Sequence, residues 1–182
     1  MRYLAIAMIV LALASLAWGA EDTLSLDRCV VLNSSSHQDA ESKVAIHFAI
    51  PEELNGKEII YAEMFFDLPA FRLHEDSLFE IRFYPLLAEW SENDLTFDNC
   101  EAITDSMSAG LFTVKLADTN SFHFDLTSYI REAVEGDREN FGLIGQADLL
   151  GDANLRLPGN LNDRIRNVAR IRVIYNQFES SD

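Results

Sequence analysis

Basic residues are scarce in this chain. Its 182 residues include 14 Lys and Arg against 30 Asp and Glu, a formal charge of −16 at pH 7. A surface this acidic repels nucleic acid and anionic bilayers at long range. DNA, RNA and lipid surfaces are therefore excluded as partners unless a local basic patch or bound divalent cations intervene. The same acidity keeps an exported domain soluble, which is its ordinary reading. Cysteine is scarcer still: Cys29 and Cys100 are the two present, and neither sits in a C-x-x-C. With four histidines in all, a zinc site has no support. There is no G-x-S-x-G, and His37, His47, His74 and His123 stand in no triad-like context. Glycine-rich phosphate loops, internal repeats and low-complexity tracts are also missing. The length suits one domain with a sizeable core better than two.

What is present begins with an N-terminal leader. Arg2 supplies a positive start, and residues 3–18 are apolar apart from Ser15. Ala17, Trp18 and Gly19 then place small residues where a cut after Gly19 needs them, with a cut after Ala20 as the near alternative. This is the pattern of a secretory signal peptide. An uncleaved anchor is the competing reading, but the run falls short of the ~20 apolar residues a spanning helix needs. The expectation is a secreted or cell-surface protein with no membrane insertion once the leader is cut.

Strand signals fill the rest. A short apolar run covers residues 29–32, and a polar loop follows over 33–42. Val44, Ile46, Phe48 and Ile50 alternate with Ala45, His47 and Ala49, which predicts a strand ended by Pro51. Residues 59–68 and 79–86 alternate in the same way, and shorter candidates lie at 111–116, 121–125, 141–144 and 168–175. One short helix is predicted over 127–135, capped by Thr127 or Ser128 and closed by Gly136. Several short strands separated by turn signals predict an all-β fold, a sandwich or barrel.

Candidate sites are few. Export permits a Cys29–Cys100 disulfide, the alternative being two buried thiols. Asn33-Ser34-Ser35 matches a glycosylation acceptor, and a plain loop is the competing reading. Asp148, Asp152 and Asn154 surround Gly151, so calcium is the one candidate cofactor, against a simple polar turn. Arg164, Arg166, Arg170 and Arg172 cluster within nine residues. Arg170 and Arg172 would share one face of a strand, and Arg82 would join them if its strand lies nearby. Guanidinium forks bind carboxylates bidentately, so the three form a candidate dock for uronic-acid sugars; salt bridges to abundant Glu and Asp are the alternative. Trp90 reads as core packing more than as a sugar platform. The acidic groups at Glu89, Glu92 and Asp94 and at Glu132, Glu135, Asp137 and Glu139 are expected on a solvated surface, not as a hydrolase pair.

Several segments carry a resemblance. Trp90-Ser91-Glu92-Asn93-Asp94-Leu95-Thr96-Phe97-Asp98-Asn99 resembles the W-S-E-x-x-(V/L)-T-W-x-N segment of DNRLRE domains, a family overlapping carbohydrate-binding module family 96. Phe124-Asp125-Leu126-Thr127-Ser128-Tyr129-Ile130 is similar to that family's F-D-(V/L)-T-x-x-V segment, Asn140-Phe141-Gly142-Leu143 to its N-x-G-(L/I) strand start, residues 44–68 to its preceding strand pair and residues 170–175 to its closing strand. Phe97 stands in place of a tryptophan, and Cys100-Glu101 in place of a proline. The residues themselves set a leader over 1–19, a strand and loop over 20–42 and a polar tail over 177–182, and the resemblance implies a jelly-roll-like β-sandwich over 43–176. It also implies an exported, non-catalytic module that binds surface or extracellular polysaccharide, or other cell-surface components. The alternatives are a structural subunit of envelope, matrix or fibre that self-associates through sheet edges, and, third, a small polysaccharide hydrolase or lyase.

Overall fold

The structure, a computed structural model, describes residues 19–34, 42–67, 78–115, 121–149 and 161–177. The leader, the loop over 35–41, Asp152, Asn154 and the tail from 178 lie outside the described residues. Eight strands form: β1 Ala20–Asn33, β2 Ser42–Phe48, β3 Ile59–Asp67, β4 Leu78–Pro85, β5 Gly110–Lys115, β6 Ser121–Asp125, β7 Leu143–Leu149 and β8 Arg170–Tyr175. Helix α1 spans Thr127–Glu135 and helix α2 spans Leu161–Val168.

The strands pair as a nest. β1 pairs with β8, β2 with β7, β3 with β6 and β4 with β5, all antiparallel. Lateral pairs join them in the order β5-β4-β7-β2-β1-β8-β3-β6. A nested hairpin wrapped into sheets 1-8-3-6 and 2-7-4-5 is the jelly-roll arrangement. The all-β sandwich expected from the strand signals is what forms. β1 serves both halves. Residues 20–25 pair with β8 and residues 26–33 with β2, and the register shifts between Leu26 and Arg28. Such a bulge bends a strand and lets it pass from one sheet to the other.

Alternation decides which side chains meet inside. Leu24, Cys29, Phe48, Met64, Phe83, Phe124 and Ile171 all face the central core. Phe83 of one sheet meets Phe124 of the other edge-to-face, ring centroids 4.6 Å apart. The outer face of sheet 2-7-4-5 is covered too. The segment between β4 and β5 folds over it and buries Leu86, Trp90, Leu95 and Cys100 against Val30, Leu32, Ala45 and Ile144.

This second layer overturns the expected disulfide. Cys29 points into the central core, while Cys100 belongs to the outer cluster, beyond Val30 and Leu32. Neighbouring residues of a strand point to opposite faces, so sheet 2-7-4-5 itself separates the two sulfurs. Both thiols are free and buried. Burial pushes Cys29 up to about 12, and it raises Cys100 above its ordinary value.

The helices also differ from expectation. At α1, the carboxylate of Asp125 accepts the Thr127 N–H at 2.9 Å. The Thr127 hydroxyl instead accepts the Ala62 N–H at 3.0 Å, tying the helix to β3. Gly136 closes the helix at φ 82°, as its sequence position suggests. Helix α2 is an addition: Arg164 and Arg166 lie on it, not on a strand with Arg170 and Arg172. Its Asn162 and Arg166 lie along the β1 edge. There Val31 N–H donates to Asn162 Oδ1 at 2.8 Å, and Arg166 donates to the Cys29 carbonyl at 3.2 Å.

Candidate functional site: the outer face of sheet 1-8-3-6

The outer face of sheet 1-8-3-6 carries the polar residues. In register, Ser25, Arg170, Phe65 and His123 form one cross-strand row. Thr23, Arg172, Glu63 and Asp125 form the next. Both rows alternate with core residues along their strands, so their side chains point outward.

Glu63 organises the second row. It is 5% exposed, although it lies on an outer face. Arg172 forms an ion pair with Oε1. Tyr61 Oη donates to Oε2 at 3.0 Å, and His123 Nδ1 lies 3.2 Å from the same oxygen. Burial acts to raise the Glu63 carboxyl, but the hydrogen bonds from Tyr61, His123 and Arg172 outweigh it and hold the group below its ordinary 4.5. Burial, with the bond to Glu63, raises Tyr61 in turn. An ionised carboxylate only accepts, so His123 presents Nδ1–H to it.

Arg170 differs from Arg172. It donates to the Ala169 carbonyl at 2.7 Å and forms no ion pair among the described residues. A guanidinium has five N–H donors in a planar fork. Beside it, Phe65 and His123 stack with ring centroids 6.2 Å apart and 18° between planes, and the histidine side chain is 52% exposed. The face thus offers a guanidinium fork flanked by a flat ring pair.

The expected three-arginine dock is divided. Arg82 lies on β4, in register with Gln146 of β7 and Leu111 of β5, in the other sheet. Its neighbour Phe83 faces the core, so Arg82 leaves the sandwich on the opposite side. Arg172 is taken by Glu63. Of the three, Arg170 alone keeps the setting expected for a carboxylate ligand. The expected calcium loop does not start where it was placed: Asp148 is a residue of strand β7, in register with Glu80. Its partners Asp152 and Asn154 are outside the described residues. Among the described residues, no group of three or more His, Cys, Asp or Glu could hold a metal ion. Asn33 ends β1, and its Oδ1 accepts a hydrogen bond from Ser42 at 2.5 Å.

Sequence reasoning missed Glu63, Tyr61 and His123 as a group. The available signal was the polar alternation of β3 and β6, but only the register joins residues sixty positions apart.

The segments that carry the family resemblance do structural work. Trp90 is 7% exposed, its Nε1 donates to the Phe141 carbonyl at 2.7 Å, and Arg28 lies over its ring at 5.0 Å. Glu92 accepts the Cys29 N–H at 2.9 Å and pairs with Arg166. Asn99 accepts the Thr96 N–H at 2.8 Å and donates to the Asp94 carbonyl at 2.9 Å. Asn140 donates to the Phe48 carbonyl at 2.7 Å and accepts from Tyr129 Oη at 2.8 Å.

Fold and face together define a jelly-roll sandwich with one polar sheet face and one covered face. No protein-family model matches the chain, and no curated protein matches it. Among the described residues, no helix is long and apolar enough to cross a membrane.

Proposed function

We propose that this protein is an exported, non-catalytic module of the DNRLRE type that binds acidic polysaccharide on the outer face of sheet 1-8-3-6. The observation that carries the reading is Arg170: an arginine beside a stacked ring pair, without an ion pair among the described residues. A uronate carboxylate would take the guanidinium fork, and the sugar ring would lie on the Phe65–His123 surface. Arg172, held by Glu63, positions the neighbouring row.

The structural-subunit reading needs free edges, and one edge is occupied. Glu92, Asn162 and Arg166 satisfy the outward backbone groups of Cys29 and Val31 on β1. Side chains so placed block strand addition there.

The test is binding of the full chain to a panel of acidic and neutral polysaccharides. Binding to an acidic member should weaken at least tenfold in Arg170→Ala, about 1.4 kcal/mol, and fall with added salt. Binding that survives Arg170→Ala unchanged, or no binding at protein concentrations of about 1 mM, would remove this reading.

A further inference from the structure

The covered face holds a second site. Between the β4–β5 segment and sheet 2-7-4-5 lies a cavity of about 190 Å³ lined by Lys43, Tyr84, Glu101, Thr104, Asp105 and Gln146. At roughly 30 Å³ per water it has room for about six waters, the scale of a single pyranose ring. Its notable member is Lys43. The side chain is only 7% exposed, on a strand face whose next residue inward is the buried Ala45. Its ammonium lies 4.7 Å from the Phe97 ring centroid. Its carboxylate partner among the described residues is Glu101, at 3.1 Å, and that side chain is 79% exposed. A buried ammonium balanced by a solvent-facing carboxylate is costly to keep. An apolar side chain of similar length would pack there with less penalty.

The polar groups of the cavity define its ligand. Lys43 supplies donors. Glu101 supplies acceptors. Asp105 takes the Met107 N–H at 3.0 Å and Arg138 at 3.1 Å, and these bonds hold its carboxyl below its ordinary value. A carboxylate has about four lone-pair sites, so Asp105 can accept further hydrogen bonds. The Thr104 hydroxyl donates to the Cys100 carbonyl at 2.7 Å, which leaves its oxygen as an acceptor. The charges at the cavity wall are balanced in pairs, Lys43 with Glu101 and Asp105 with Arg138. An anion would have to displace Glu101 or Asp105 from its cation, and a cation would meet Lys43 and Arg138. The fitting ligand is uncharged and both donates and accepts at adjacent positions.

We infer that this cavity binds a neutral sugar residue through a vicinal diol. One hydroxyl oxygen accepts from Lys43, the adjacent hydroxyl donates to Glu101 or Asp105, and Tyr84 borders the ring. The site lies on the opposite face from Arg170 and takes the opposite class of sugar. A module with both sites holds two kinds of glycan at once.

The experiment is an amide NMR titration of the full chain with methyl α-D-glucopyranoside, methyl α-D-mannopyranoside and methyl β-D-galactopyranoside, each to about 100 mM, weak single-site range. Sodium glucuronate is the charged comparison. The expected result is saturable shifts at Lys43, Thr104 and Gln146 with at least one neutral glycoside and none there with glucuronate. Lys43→Met should weaken that binding at least tenfold while leaving the thermal midpoint equal or higher, which a merely structural lysine would not do. Glu101→Gln, at an exposed position, keeps the test readable whatever happens to Lys43→Met. It should weaken the neutral glycoside and admit glucuronate. No saturable shift at Lys43, Thr104 and Gln146 with any neutral glycoside, or saturable glucuronate shifts at those residues in the unaltered chain, would overturn the inference. The Arg170 reading would stand in either case, because its residues lie on the other sheet.

Discussion

Replacing Glu92 with alanine tests whether the tryptophan-led segment is scaffold or ligand site. The carboxylate accepts the N–H of Cys29 at 2.9 Å, just past the β1 bulge, where no strand offers a carbonyl. It also pairs with Arg166. Removing it leaves a buried amide unpaired, which costs about 1–3 kcal/mol. The ion pair adds less. Its two side chains are 30% and 36% exposed, so solvent screening limits its share to about 0–1 kcal/mol. Arg166 also keeps Asp163 at 3.9 Å. The total is roughly 1–4 kcal/mol, or about 2–16 °C of thermal midpoint for a domain of this size. Glu92→Gln keeps an acceptor oxygen and should lose about 1 kcal/mol. Urea unfolding followed by Trp90 fluorescence measures both. A Glu92→Ala variant that loses less than about 0.5 kcal/mol but no longer binds polysaccharide would refute the reasoning and make the segment a ligand site.

Both thiols should resist iodoacetamide in the native protein at pH 8 and react together on unfolding; a native protein in which both thiols are lost together to an intrachain disulfide would contradict the sheet between them. Gly142→Ala should abolish folding or cost about 3 kcal/mol or more, because φ is 94° and an added Cβ would fall on the Ile46 carbonyl; a soluble variant with an unchanged midpoint would contradict it. Glu63 is held below its ordinary 4.5 in the folded state, so its contribution is full above pH 4.5 and lost as pH falls through the lower folded value. The acid limb of midpoint against pH should therefore be shallower in Glu63→Gln, and parallel curves would show that its partners do not hold it.

The sequence announces what depends on local period and hides what depends on pairing. The alternation of Val44, Ile46 and Phe48 places them inside β2, as read, although Val44 packs at the margin of the core. Gly136 takes the left-handed conformation its place after a helix requires. Helix α2 had a signal in the i, i+4, i+7 spacing of Leu161, Ile165 and Val168, but the nearby arginines read more readily as a strand surface. The sheet to which Arg82 belongs had no signal. Its alternation is the same on either side of the sandwich, and only the nested pairing assigns β4. Cys29 and Cys100 failed for a related reason. Strand parity fixes that Cys29 faces opposite to Val30, but not that a loop sixty residues later covers the Val30 side.

The tryptophan-led and helix-opening segments of the resemblance and the proposed sites occupy different residues, and this bears on what the resemblance can mean. Trp90, Glu92, Asn99, Tyr129 and Asn140 commit their polar atoms to groups of the protein itself, mostly backbone. Residues used in that way fix where loops cross a sheet. A chain that keeps them keeps the jelly roll, whatever it binds. Phe65 and Arg170 lie on strands that fit the resemblance, and Lys43 just before them, on strand faces where substitution leaves the backbone network intact. Ligand choice can therefore change while the signature stays, and the departures at Phe97 and Cys100 become intelligible. The Phe97 ring centroid lies 4.7 Å from the Lys43 ammonium, and Cys100 is buried in the cluster Phe97 packs against. Phe97 and Glu101, two positions where this chain departs from the segment it resembles, both approach Lys43 at the cavity. A Phe97→Trp variant should for that reason alter neutral-glycoside binding at Lys43 and leave acidic-polysaccharide binding at Arg170 untouched, a separation that NMR titration of both ligands would show.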